Sequence, residues 1–362
     1  MSELFYPIKI KRIVRETKDA ASFVFDIPEN LKEKFTYLPG QYLTISTTIN
    51  GKEVRRAYSF SSSPITDADP AVTIKKVDGG VFSSFMNDDA FEGQVMQIMP
   101  PMGKFVVNLD AANKNHYVLF AGGSGITPIM SIIKSVIDKE PNSKLSLIYC
   151  NRDIESVIFK QQLEDMVAKY PSILKVVYCY DIAPAGWTGL SGRPTAAQYI
   201  DMVKQTRVDG YNTEYYICGP TGMMDEVKNG LQMLGIPGGK VHNEYFSAPT
   251  SKEPVKTAAP AAVSYDDEDT AGGQKAVILL NGREHEITVP RGTTILEAAK
   301  DENLDPPYAC QIGVCTTCRA KLLEGQVEMD EREGLSDSEI SQGYILTCQS
   351  HPTTPKVKLI YE

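Results

Sequence analysis

Four cysteines crowd the last fifth of the chain: Cys310, Cys315, Cys318 and Cys348 stand as C-x4-C-x2-C, then a 29-residue gap and the fourth Cys. Thiolates at this spacing hold a pair of irons, the plant-type [2Fe–2S] arrangement. A zinc knuckle favours separate C-x2-C pairs, and this run has only one, preceded by a four-residue loop. Small residues around Gly313 let backbone amides reach the sulfurs, and such bonds tune a reduction potential. A second run, AGGSGITP at Ala121–Pro128, follows the apolar YVLFAG and opens IMSIIKSVIDK, whose apolar residues recur at helical spacing. A Gly-rich turn in that context brings amides and a helix dipole to a pyrophosphate, with Gly122, Gly123, Gly125, Thr127 and Pro128 as the candidates.

The elements that must position these groups fall into separate modules. Residues 1–108 read as short β-branched and aromatic runs, such as Ala21–Phe25, Tyr42–Thr47 and Val72–Val77, broken by Pro39-Gly40 and Gly79-Gly80. That is the pattern of a small antiparallel β-barrel. Residues 109–248 alternate apolar strands (Leu145–Cys150, Lys175–Tyr180, Glu214–Cys218) with helical stretches, which argues for a parallel sheet in an α/β nucleotide-binding domain. Cys150 and Cys179, each ending an apolar strand, read as core residues. Residues 249–273 have linker composition, rich in Pro, Ala and Ser with an acidic cluster at Asp266–Asp269, and are expected to let the C-terminal module move. Residues 274–362 hold a hairpin at Asn281-Gly282, a capped helix from Thr293 or Thr294, the cysteine loop and a last strand KVKLIYE, together a β-grasp module.

Composition narrows the function class. Hydrophobic residues at 42% and charged residues at 23% suit a globular multidomain protein with real cores, not a disordered one. Net charge is −9, against a nucleic-acid binder. It is unevenly shared: residues 250–273 carry two Lys against five Asp/Glu and residues 274–362 nine Lys/Arg against fourteen, so this part holds −8 of it. A basic protein partner fits that face, with docking that weakens as salt rises. The N-terminal MSELFYPIKIKRIVRE has no apolar core behind a basic start, and the apolar stretch Tyr117–Ile133 is broken by three glycines and Pro128. No secretory signal or membrane span is therefore expected, and the location read from the sequence is cytoplasmic, a membrane-bound acceptor staying compatible with it.

Two further motifs, RAYS at Arg56–Ser59 and GVFS at Gly80–Ser83, stand between Pro39-Gly40-Gln41-Tyr42 and Pro101-Met102-Gly103-Lys104-Phe105. In order and spacing the chain resembles the ferredoxin–NADP reductase family. Its C-terminal module resembles the ferredoxin of oxygenase reductases, following most nearly the phenylacetyl-CoA epoxidase type. The resemblance implies FAD on the barrel: Arg56 at the pyrophosphate, Ala57 and Tyr58 against the flavin ring, Ser59 at its N5 edge. Gly80, Val81, Phe82 and Ser83 would offer amides and a hydroxyl to phosphate, with Ile74 and Lys75 also touching the flavin. It implies a nicotinamide site at Cys218, Gly219, Pro220 and Met223 of YICGPTGMMDEV, Cys218 lying next to the transferred hydride. Glu244 and Phe246 of HNEYF would face the flavin, so that Tyr58, Ser59, Cys218 and Glu244 form the catalytic set. Asp181 suits a ribose 2′-hydroxyl and Arg152 a phosphate, which leaves NADH and NADPH both open.

The function implied is transfer of electrons from NAD(P)H through FAD and [2Fe–2S], singly, to a terminal oxygenase or hydroxylase such as a phenylacetyl-CoA epoxidase-type di-iron enzyme. Two other readings stay open on the residues: a diaphorase or ferric or quinone reductase with an ancillary ferredoxin module, and a non-catalytic assembly subunit retaining the fold.

Overall fold

The computed structural model describes residues 4–246, 255–258 and 273–361. The chain divides into two compact units, Phe5–Phe246 and one containing Ser247–Glu362.

The first unit begins with strands β1 (Tyr6–Thr17), β2 (Ala20–Asp26), β3 (Tyr42–Ile49), β4 (Lys52–Ser59) and β5 (Ala71–Lys75), helix α1 (Val81–Asp88) and strand β6 (Val95–Met102). The six strands form one antiparallel sheet in the order β4-β3-β6-β1-β2-β5, and a bridge from Phe60 to Val72 brings its ends together into a barrel. Alternation along the strands turns Ile8, Ile10, Phe23, Phe25, Leu43, Ile45, Val72 and Ile74 into one closed core. Ile74, expected at the flavin, is 0% exposed in that core, because the strand's two-residue period points its side chain inward.

The same unit continues as β7 (Asn115–Gly122), α2 (Ile126–Lys139), β8 (Lys144–Asn151), α3 (Lys160–Lys169), β9 (Leu174–Tyr180), α4 (Ala196–Thr206), β10 (Asn212–Cys218), α5 (Thr221–Met233) and β11 (Val241–Glu244). These strands are all parallel, in the order β11-β10-β7-β8-β9. Near-continuous apolar runs such as Tyr117–Ala121 follow from burial on both faces. Barrel and sheet are joined by polar contacts along α2, where Ser131 Oγ donates to the Ser62 carbonyl at 2.6 Å and Ser63 Oγ meets Ser135 Oγ at 2.8 Å.

The second unit holds β12 (Val255–Ala258), β13 (Gln274–Leu280), β14 (Arg283–Val289), α6 (Ile295–Asp301), β15 (Arg319–Glu324), β16 (Gln326–Met329), α7 (Asp337–Ser341), β17 (Tyr344–Leu346), β18 (Ser350–Pro352) and β19 (Lys356–Ile360). A mixed sheet β14-β13-β19-β15-β17 carries α6 against its buried face, as a β-grasp requires. Thr294 caps α6 through a reciprocal bond pair with Glu297. The segment read as linker lies outside the described residues except for Gly273 and Val255–Ala258. The latter pairs antiparallel with β16, Val255 opposite Met329 and Ala258 opposite Gln326. No helix among the described residues is long and apolar enough to cross a membrane.

Candidate functional site

Strand ends create the first site. In a parallel sheet the loops leaving the C-terminal ends converge, and here β7 and β10, neighbours in register from Asn115 and Asn212 to Ala121 and Cys218, deliver two glycine turns to one point. A Cβ on Gly122 would lie 2.5 Å from Pro220 Cδ and 2.7 Å from Met223 Sδ; one on Gly125 would lie 2.0 Å from the Cys218 carbonyl oxygen; one on Gly219 would lie 2.9 Å from the Gly122 nitrogen. Only residues without side chains allow this approach. Helix α2 opens straight out of the turn with no side-chain cap, its first amide, that of Ile126, donating back to the Gly123 and Ser124 carbonyls.

Thr127 and Pro128 are buried inside that first turn, and Thr127 Oγ1 donates to the Ser124 carbonyl at 3.1 Å. They shape the turn and do not face outward. Gly123, at φ +52°, presents its Cα toward Lys75 Nζ, 3.7 Å from where a Cβ would stand. Burial and the nearby Arg152 guanidinium draw the Lys75 ammonium below its ordinary value, Asp19 and Asp153 opposing. Sequence motifs far apart, Ile74-Lys75, Gly123 and Arg152, thus meet in one cationic corner. Tyr149, which sequence reasoning missed, ties the turn down by donating to the Gly123 carbonyl at 3.1 Å.

The flavin motifs also meet. The Tyr58 ring lies 5.7 Å from that of Phe82, so RAYS and GVFS share one surface. Arg56 is exposed, its guanidinium donating to its neighbour Arg55's carbonyl at 2.7 Å. The reading of Ser83 as a phosphate hydroxyl needs correction. GVFS is the first turn of α1, where Ser83 Oγ accepts from the Val77 amide at 3.0 Å and donates to the Gly80 carbonyl at 3.3 Å. Helix α1 has no side-chain cap at Gly80. Asn87, absent from the sequence-based set, locks this helix to β5 by donating to the Ile74 and Ser83 carbonyls.

Barrel and sheet share their closest functional contact at Ser59, whose Oγ donates to Glu244 Oε2 at 2.9 Å. Glu244 stands on β11 directly opposite Cys218 on β10. Burial pushes the Glu244 carboxyl up to about 8, the Ser59 hydrogen bond opposing it. Cys218 is 0% exposed, and burial, then the Glu244 charge, raises its thiol, so it is a neutral wall and not a nucleophile. Phe246 is 40% exposed; the buried aromatic of HNEYF is Tyr245, which accepts from Lys228 Nζ at 2.8 Å. A raised carboxyl has a definite sign. Between its ordinary 4.5 and about 8 the folded chain keeps a proton that the unfolded chain has lost, so stability falls as pH rises across that window and levels above it. Rapid-mixing measurement of flavin reduction by NADH should likewise slow above about 8, where a negative charge appears beside Ser59; Glu244→Gln should flatten that profile, and an unchanged profile would remove Glu244 from the site.

At the outer strand ends, Asp181 and Arg152 are adjacent: the Asp181 amide donates to the Asn151 carbonyl at 2.9 Å and the Ile182 amide to the Arg152 carbonyl at 2.8 Å. Asp181 pairs with Arg193 Nε at 3.2 Å, Arg152 with Asp153 at 2.9 Å.

In the second unit the four thiols fall into two contacts, Cys310 with Cys315 and Cys318 with Cys348. No three or more His, Cys, Asp or Glu among the described residues converge on a single point fit for one metal ion. Two thiols per centre is what an iron pair asks for. Contact with Cys315, then the Ile312, Cys315 and Val314 amides, lowers the Cys310 thiol to about 6 against the opposing effect of burial. Cys315 Sγ donates to Thr317 Oγ1 at 3.5 Å, and Gln349, a residue without a sequence signal, reaches Cys348 Sγ at 3.6 Å. Gly313 at φ +74° makes the loop possible, a Cβ there falling 2.7 Å from Glu331 Cβ.

The cofactors these cradles fit agree with what the chain is similar to. Residues 7–107 match an oxidoreductase FAD-binding domain, residues 119–229 an oxidoreductase NAD-binding domain and residues 278–353 a 2Fe-2S iron-sulfur cluster binding domain. The ferredoxin reductase component of 3-ketosteroid-9-alpha-monooxygenase from Rhodococcus rhodochrous is 37% identical over 97% of this chain and 95% of its own length. One of the subunits of the 1,2-phenylacetyl-CoA epoxidase of Escherichia coli is 33% identical over 99% of this chain and 98% of its own. Among solved structures, phthalate dioxygenase reductase, described as a modular structure for electron transfer from pyridine nucleotides to [2Fe–2S], shares the fold at TM-score 0.58 and 23% identity, covering 99% of this chain and 98% of its own. The chain belongs to this reductase family: it is an NAD(P)H-dependent flavin and iron–sulfur oxidoreductase, with FAD, NAD-binding and 2Fe–2S domains on one polypeptide.

Proposed function

We propose that the chain is the reductase component of an oxygenase system and hands single electrons from its cluster to a terminal oxygenase or hydroxylase. The observation that carries this is the presence on one chain of the Ser59–Glu244 site at the joined strand ends and of four thiols grouped two and two. Relatives of nearly the same length bear the names of monooxygenase reductase components and of an epoxidase subunit, which favours an oxygenase over a ferric or quinone acceptor. When bound, FAD takes hydride from the nicotinamide and the cluster carries electrons onward one at a time.

The chain's own residues hold and orient. Arg56 and the first amides of α1 receive the FAD phosphates, while Ala57 and Tyr58 flank its ring. The Gly122–Gly125 and Cys218–Pro220 turns, with Met223, fix the dinucleotide. Ser59 is held by Glu244 at the hydride-receiving edge, and Cys310, Cys315, Cys318 and Cys348 ligate the cluster. Domain limits near residues 108, 248 and 273 complete the assignment. Cross-linking the purified chain to candidate oxygenases, followed by NADH-driven reduction of each, tests it. A partner reduced faster than cytochrome c supports the reading, and no preferred partner contradicts it.

We further infer that NADH is the preferred donor, because the Asp181 carboxylate after the end of β9 suits a ribose 2′-hydroxyl better than a 2′-phosphate. kcat/KM for NADH should exceed that for NADPH by about tenfold or more, the factor that ~1.4 kcal/mol of repulsion supplies. Asp181→Ser should narrow the ratio. A native preference for NADPH would mean that Arg152 and Arg193 bind the phosphate.

A further inference from the structure

The nucleotide-binding sheet contains two thiols that electron transfer does not use. Cys150 on β8 and Cys179 on β9 stand directly opposite each other on adjacent parallel strands, and the thiols are in hydrogen-bonding contact. Opposed residues of neighbouring strands are about 4.8 Å apart, inside the roughly 4.4–6.8 Å between Cα atoms that a disulfide spans. Exposure is unequal: Cys150 is partly open and Cys179 is buried, which gives one attackable sulfur backed by a second that can resolve it. Tyr199, on α4, brings its hydroxyl to 3.3 Å from Cys150 Sγ, and Cys179 Sγ also meets Met202 Sδ at 3.9 Å. Contact with Cys179 and the Tyr199 hydrogen bond lower the Cys150 thiol, burial and the Asp181 charge opposing, while the Cys179 thiol is held up.

We propose that Cys150 and Cys179 form a peroxide-oxidisable dithiol that weakens binding of the nicotinamide dinucleotide when it closes. The Cys150 thiolate attacks hydrogen peroxide; the O–O bond breaks, the sulfur becomes a sulfenic acid and, with a proton, water leaves. The Cys179 thiol then attacks that sulfur, an S–S bond forms, and a second water carries off the hydroxyl and the thiol proton. Two thiols lose two electrons and one peroxide gains them, so no other reactant is needed.

Closing the bond draws the Cβ atoms in to about 3.8 Å. The strain falls on the residues that follow, Asn151-Arg152 and Tyr180-Asp181, whose loops are tied by the Asp181-to-Asn151 and Ile182-to-Arg152 bonds. The effect on binding rests on the reading that the dinucleotide lies at these strand ends; formation of the bond does not.

The test is to treat the full-length holoprotein with a small excess of hydrogen peroxide, remove it with catalase, alkylate, and map non-reduced peptides. A Cys150–Cys179 linkage that dithiothreitol reverses is expected, and Cys179→Ala should instead accumulate a sulfenic acid at Cys150, trapped by a 1,3-diketone. In anaerobic rapid mixing, the NADH concentration giving half-maximal flavin reduction should rise about tenfold in the oxidised wild type and stay put in peroxide-treated Cys150→Ser. A map without the linkage overturns the site. Linkage with unchanged NADH dependence overturns its coupling to the nucleotide and leaves the chemistry standing.

Discussion

Cys315→Ala should lower NADH-driven reduction of cytochrome c by more than about 100-fold and leave flavin reduction by NADH at its native rate. The thiol is 8% exposed and touches Cys310, so no other described side chain shares its place in that pair. Losing partners that merely orient metal ligands already costs roughly 10–100-fold, and a ligand lost outright costs more. The surrounding loop is held by its own bonds, such as the Gly334 amide to the Gly313 carbonyl at 2.9 Å, so the β-grasp core survives the change. Iron content and visible absorbance report cluster loss separately from unfolding. The alternative reading, a diaphorase with an ancillary ferredoxin module, expects cytochrome c reduction to persist undiminished.

Gly125→Ala should be nearly as damaging, at the opposite end of the electron path. The added methyl would sit 2.0 Å from the Cys218 carbonyl oxygen and 2.8 Å from the Gly219 amide, both backbone atoms that no rotamer change can move aside. The β7 and β10 turns must therefore separate. Displacing a reacting group by about 1 Å costs on the order of 100-fold, and forced overpacking costs about 1–3 kcal/mol in stability. The NADH-dependent flavin reduction rate should fall by that factor. Gly222→Ala, where a Cβ meets nothing within 4 Å, is the control and should leave that rate intact.

Features written locally in the chain were legible. The 2Fe–2S module stands out from the spacing of its four cysteines, and the close-packed glycines of AGGSGITP from the strand and helix on either side. How the thiols divide into Cys310–Cys315 and Cys318–Cys348 was not legible, because it depends on β15, β17 and β18 returning the distant Cys348 to the loop. The inward turn of the Ile74 side chain was not legible either, because it depends on the phase of β5, which buries Ile74 and leaves Lys75 half-buried. GVFS carried no helix signal, its three small or β-branched residues having weak helix propensity, yet the helix forms where Phe82 and Met86 can bury in the barrel core. Val255–Ala258 gave no strand signal amid Pro and Ala. Its pairing comes from the partner edge offered by β16, a tertiary cause that local composition does not carry.

Anaerobic titration of the full-length holoprotein with NADH, followed by flavin absorbance and by electron paramagnetic resonance of the iron, tests the electron path most directly. The account predicts that both centres fill from NADH alone, two electrons in the flavin and one in the iron pair, and that a flavin-stripped chain leaves its iron oxidised. Iron that stays oxidised beside fully reduced flavin, or that fills equally well without flavin, would contradict it.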